Sequence, residues 1–210
     1  GQTYHAMERY DEALADFNRA IEISPEYVWA ITNRGETYRD MERYDEALAD
    51  FNRAIEIRPT NTWPITSRGE TYRLMERWDD ARRDIELALA INPELLHANF
   101  EAAILVSALE GLKQAKHEWE KLAQLLKNAT GLSPIDRGAA LFITSSALAE
   151  WDRADELLNS LTNDNRRGRL IAELSKLLKE LAKYSDVNTG SRLNAYCTQI
   201  ESFGNNNTHP

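Results

Sequence analysis

The side chains here with catalytic or metal-binding chemistry are His5, His97, His117, His209 and Cys197. Zinc needs imidazoles, thiolates or carboxylates at short, fixed spacings. None of the histidines has a cysteine or acidic partner at such a spacing, so no metal and no cofactor is expected. Cys197 has no nearby histidine to activate its thiol. No Gly-x-Ser-x-Gly turn and no Gly-rich phosphate loop occurs. The abundant Asp and Glu read as solvated helix surface. No enzymatic activity is expected.

Binding chemistry is better represented. Trp29, Thr32, Glu36 and Arg39 stand at i, i+3, i+7 and i+10, which is one stripe of a helix. Trp63, Thr66, Glu70 and Arg73 repeat that stripe, and His97, Phe100, Ile104 and Ser107 vary it. Asn33 adjoins the first stripe, and Gln2 and His5 would belong to an earlier one. Aromatic and Arg side chains carry much of the energy of protein interfaces. Trp29 and Trp63 can be read as exposed anchors in a groove, or as staples tying each helix to the Pro-containing loop before it. Glu36/Arg39 and Glu70/Arg73 can be a charged clamp, or ion pairs within a helix and between neighbouring repeats that contribute little.

What positions these stripes is a repeat. Residues 1–34 and 35–68 agree at 25 of 34 positions, and 69–93 is a third, more divergent copy. The middle copy holds Gly35, Tyr38, Ala47, Phe51, Ala54 and Pro59. The first holds Gly1, Tyr4, Ala13, Phe17, Ala20 and Pro25; the third holds Gly69, Tyr72, Ala81, Ile85, Ala88 and Pro93. The period and these residues resemble the tetratricopeptide repeat. The departures are Ile31 and Ile65 where that family has an aromatic, and Arg34 and Arg68 where it has Leu. An Asn-Arg-Gly or Ser-Arg-Gly variant of this kind looks like a bacterial subtype.

The residues give the same reading without the family. Ile31, Gly35, Tyr38 and Met41 share one helical face, and Ala47, Phe51, Ala54 and Ile55 share another. Gly35 and Ala47 allow close helix approach, while Tyr38 and Phe51 fill the layer beside them. Asp45 is the expected N-cap of the second helix, with Glu46 favoured in its first turn. Pro59 prevents that helix from continuing. The expected fold is all-α; the resemblance implies a right-handed α-α superhelix, closed by C-terminal capping helices.

Fainter copies follow. Residues 109–119 align with 41–51, with 95–108 as the preceding helix; 148–158 align again, with 134–147 as partner. Three well-matched units in 1–93, the first truncated, and two degenerate hairpins in 94–162 are expected. A cap over 163–203 is to consist of an amphipathic helix at 166–184, a turn at 185–191 and a short helix at 192–203, before a frayed tail at 204–210. The sequence begins inside a repeat, so it reads as a piece of a longer chain.

Charge narrows the partners. Residues 1–102 carry 21 acidic side chains against 12 Arg and no Lys, whereas 103–210 are balanced. That field disfavours nucleic acid and anionic membrane surfaces. No apolar run approaches the roughly 18 residues of a membrane span. No secretory signal is read, and one thiol suits a cytoplasmic location. The resemblance implies that the first helices of the repeats line a concave face that receives a peptide or partner helix. The expected contacts are Trp29, Thr32, Asn33, Glu36, Arg39, Trp63, Thr66, Glu70, Arg73, His97 and Phe100. Some family members hold a C-terminal carboxylate with Lys and Asn on adjacent first helices; here Thr32/Glu36 and Thr66/Glu70 stand in those places. The primary expectation is a protein-binding scaffold. The alternatives are the sensor end of a larger bacterial signalling or defence protein with a nucleotide switch, and self-association through the ends of the stack.

Overall fold

The computed structural model describes residues 9–162 and 168–205, with the backbone alone at 162, 168–173 and 203–205. Among the described residues the regular elements are all helices. They are α1 (Tyr10–Ile23), α2 (Val28–Asp40), α3 (Tyr44–Ile57), α4 (Thr62–Leu74), α5 (Trp78–Ile91), α6 (Leu96–Glu110), α7 (Lys116–Asn128), α8 (Pro134–Ala147), α9 (Trp151–Thr162), α10 (Gly168–Lys183) and α11 (Val187–Asn205). The chain forms two compact units, 1–101 and 102–210, divided within α6.

In the first unit, α1, α3 and α5 bury the same face of the repeat. Ala13, Leu14 and Phe17 recur as Ala47, Leu48 and Phe51, then as Ala81 and Ile85. A Cβ on Gly35 would stand 2.7 Å from Phe51 Cε1, so glycine is what lets α2 lie against the Phe51 ring. Met41, Glu42 and Arg43 reverse the chain between α2 and α3. Arg43 N–H donates to Tyr38 O and Glu42 N–H to Arg39 O, each at 2.8 Å, with Glu42 at φ 58°. That is a Schellman reversal with glutamate in the left-handed position. The turn is tight enough that Arg43, without a side-chain cap, is the residue before α3. Asp45 is therefore not the N-cap expected of it; it lies in the first turn beside Glu46, where both favour the helix dipole. The Arg43 guanidinium lies 4.6 Å over the Tyr38 ring, as Arg77 does over Tyr72 at 4.4 Å.

α3 ends at Ile57, two residues before Pro59. Asn61 then caps α4 by accepting from Trp63 N–H at 3.2 Å. Pro64 sits in the first turn of α4, where a missing N–H costs no helical bond.

In the second unit, Trp119 of α7 is fully buried and its indole N–H donates to Ser107 Oγ at 3.0 Å. Ser133 caps α8 with Pro134 in its first turn. The core of α10 and α11 includes Leu174, Leu178, Leu181, Leu193, Tyr196 and Ile200. Tyr196 OH reaches back to Asp155 Oδ1 of α9 at 2.6 Å. The turn expected at 185–191 is shorter, because α11 already begins at Val187. Asp186 caps that start, its Oδ1 accepting from Asn188 N–H at 2.9 Å and Thr189 N–H at 3.0 Å. Cys197 is buried in this core, and burial pushes its thiol pKa up. Residues 163–167 of the expected cap and 206–210 of the expected tail lie outside the described residues.

Candidate protein-interaction face

The expected contact residues lie on α2, α4 and α6, the first helices of successive hairpins. Most are already engaged with one another. Glu36 Oε1 accepts from the Trp63 indole N–H at 2.7 Å and from Ser67 Oγ at 3.1 Å. Arg39 Nη1 donates to Glu70 Oε2 at 2.7 Å. Glu70 Oε2 also lies 3.5 Å from His97 Nε2, and Arg73 Nε donates to Glu101 Oε2 at 2.8 Å. The interactions run from α2 to α4 and from α4 to α6, so each first helix is laced to the next.

The open strip is narrower than the sequence spacing implied. Thr32 and Thr66 are fully buried, their hydroxyls donating to Val28 O at 2.8 Å and Thr62 O at 2.9 Å. Asn33 is buried and donates to Trp29 O at 2.7 Å. Arg73 is buried with Glu101. In α6, Ile104 and Ser107 join the core, and Phe100 is half-buried. The physical reason is that stacked first helices cover one another's flanks, so only part of the stripe stays wet. Gln2 and His5 lie outside the described residues.

The tryptophans separate. Trp63 is half-buried and bonded to Glu36. Trp29 remains 38% exposed; Phe17 meets its ring edge-on at 6.0 Å, and Tyr27 of the preceding loop stacks on it at 5.7 Å and 25°. Trp29 thus staples its helix to the loop after Pro25 and still presents a ring face.

Sequence reasoning missed the centre of the lacing. His97 and Glu101 stand four residues apart on α6, and α4 brings Glu70 to them, so that one ligand-type atom from each lies within 4.8 Å of the others. The His-x3-Glu spacing was the available signal. Two guanidiniums occupy these carboxylates, so a cation here would compete with Arg39 and Arg73. Burial pushes the Glu70 pKa up, but Arg39, His97 and Arg73 outweigh it and hold the carboxyl well below the usual range. Burial disfavours the His97 imidazolium, but the Glu70 hydrogen bond and the Glu101 charge outweigh that and raise its pKa. Burial pushes Glu101 up against the pull of Arg73. The result is a charge-balanced junction of three helices.

A family profile for the tetratricopeptide repeat matches residues 1–60 and, overlapping, 26–94. No curated protein matches the sequence. Among solved structures, the APC/C hetero-tetramer Cut9–Hcn1 is similar at 11% identity and TM-score 0.65, over 98% of this chain and 41% of that one. Pseudomonas aeruginosa pilF is similar at 15% identity and TM-score 0.60, over 95% and 88%. A tetratricopeptide repeat protein from Parabacteroides merdae is similar at 16% identity and TM-score 0.55, over 100% and 77%. At these identities the likeness shows the fold alone. Among the described residues no helix is long and apolar enough to cross a membrane.

Proposed function

We propose that this chain is a non-catalytic scaffold that binds a peptide or partner helix on the face made by α2, α4 and α6, a reading supported by the tetratricopeptide-repeat profile that residues 1–94 match. The observation that carries the reading is Trp29. A large aromatic ring held between Phe17 and Tyr27, yet more than a third exposed, loses little freedom when a partner covers it. His97, with its side chain 42% exposed, extends the same face two repeats on. Glu36, Arg39, Glu70 and Arg73 hold the helices in register, and the partner packs on the strip they leave open. Thr32, Thr66 and Asn33 support that strip from beneath.

Selection of a random-peptide display library on the intact chain tests this. The expected result is a binder whose affinity falls about tenfold or more in Trp29→Ala and measurably in His97→Ala, the scale of an interface anchor. Binders indifferent to both substitutions would place recognition elsewhere and overturn the proposal.

A further inference from the structure

The first two repeats differ at nine positions, and five of these fall in one turn. Ser24, Glu26, Tyr27, Val28 and Ala30 stand where the next copy has Arg58, Thr60, Asn61, Thr62 and Pro64. The exchange changes what the turn does. Asn61 spends its side chain capping α4, whereas Tyr27 makes no cap bond and stacks its ring on Trp29. The first turn thereby exposes an aromatic pair that the second lacks, with Tyr27 at 46% and Trp29 at 38% exposure. Four residues before Tyr27, Ile23 is 78% exposed. Exposed large apolar side chains this close in sequence mark a contact surface more readily than scattered ones do.

The charge around the pair is predominantly acidic. Glu22 and Glu26 are exposed on the same turn, and neither carboxylate has an ion pair or hydrogen bond among the described residues. The nearby Arg53 donates to the neutral Pro25 carbonyl, which fixes its position and leaves its charge to offset part of this acidic field. Residues 1–102 as a whole carry 21 acidic groups against 12 Arg. Arg39 and Arg73, the cations of the first-helix face, are bound to Glu70 and Glu101 and are not offered to an acidic ligand.

We infer that the Glu22–Trp29 turn docks a basic, aliphatic-rich segment of a partner protein, an inference that rests on the scaffold reading above. A Lys or Arg of that segment lies over the Tyr27–Trp29 pair, whose π faces attract cations. Its apolar neighbours cover Ile23, and Glu22 and Glu26 complement the remaining positive charge.

The test uses fluorescein-labelled peptides of repeated Lys-Leu-Leu-Lys, Lys-Ser-Ser-Lys and Glu-Leu-Leu-Glu, titrated against the intact chain by anisotropy. The Lys/Leu peptide is expected to bind about fivefold or more tighter than the equally charged Lys/Ser peptide, and the Glu/Leu peptide not to bind, as charge and apolar contact act together. Tyr27→Ala removes an exposed ring and no net charge, so it leaves the fold and the acidic field in place. It is expected to weaken the Lys/Leu peptide about fivefold, and Glu22→Gln/Glu26→Gln to weaken it and flatten its salt dependence. Equal binding of the Lys/Leu and Lys/Ser peptides, or no loss in either variant, would overturn the inference. If it fails while a library-selected binder remains sensitive to His97→Ala, the scaffold reading stands; if both fail, neither does.

Discussion

Arg34 grips Asp50 with two teeth: Nε donates to Oδ2 at 2.7 Å and Nη2 to Oδ1 at 2.6 Å. Its third arm, Nη1, donates to Asn18 Oδ1 at 2.6 Å. One guanidinium on α2 therefore ties together α1 and α3. Arg68 does the same with Asp84 and Asn52 one repeat later. A planar five-donor fork suits this bidentate role in a way that lysine does not. In α6 the equivalent residue is Ala102, and the fork is gone.

Removing one partner strands the other. The side chains of Arg34 and Asp50 are only 18% and 7% exposed. Asp50→Ala is expected to cost about 2–3 kcal/mol, below the full penalty for a wholly buried pair because Arg34 keeps some water. Asp45→Ala, on the solvated first turn of the same helix, is expected to stay within about 0.5 kcal/mol. Urea unfolding midpoints of the two variants check the contrast.

Gly35 has no room to grow. Gly35→Ala would drive a methyl into the Phe51 ring at 2.7 Å. A loss of about 2 kcal/mol is expected, the usual scale of overpacking. Phe51→Leu in the Gly35→Ala background is expected to recover part of it, while Phe51→Leu alone destabilises by leaving space. A thermal-denaturation double-mutant cycle reads the coupling.

Much of the fold was legible because it depends on local pattern. A period of 34 residues, a glycine facing a phenylalanine and a proline after each second helix specify hairpins whatever their neighbours. The Arg34–Asp50–Asn18 fork was not legible. Its partners lie 16 residues away on either side, and the first two copies share 25 of 34 residues, so repetition between them could not mark these three out. The stripe failed in part for a related reason. Helical spacing places Thr32 beside Trp29, but only the neighbouring hairpin decides which flank of α2 it covers. The start of α11 was misjudged because Asn188, Thr189 and Gly190 read as turn residues until Asp186 supplies the cap.

Glu42 and Glu76 pay a backbone cost at φ 58° that glycine would avoid. Glu42→Gly/Glu76→Gly is expected to stabilise the chain by roughly 1 kcal/mol in all, since relief of left-handed strain exceeds the added freedom of the unfolded chain. A higher urea midpoint at unchanged slope is the sign to look for.

The three-helix junction makes stability depend on pH. Burial opposes the charged form of His97, but Glu70 and Glu101 outweigh it, so its folded pKa is raised. Its contribution is complete below the unfolded value of about 6.5 and drains away as pH rises through the folded value. Burial likewise raises Glu70, but Arg39, His97 and Arg73 outweigh it, so its folded pKa is lowered. That contribution is complete above the unfolded value of about 4.3 and is lost as pH falls through the folded one. His97→Gln is expected to converge with wild type on the alkaline side and to fall below it on the acid side of neutrality. Urea midpoints of both proteins across pH check the sign.

Hydrogen–deuterium exchange of the intact chain, free and saturated with a library-selected peptide, tests most directly whether the first-helix face is the binding surface. Added protection is expected in 28–40 and 62–74, the spans of α2 and α4, extending into the start of α6. Protection confined to α3 and α5, or to residues 102–210, would contradict it.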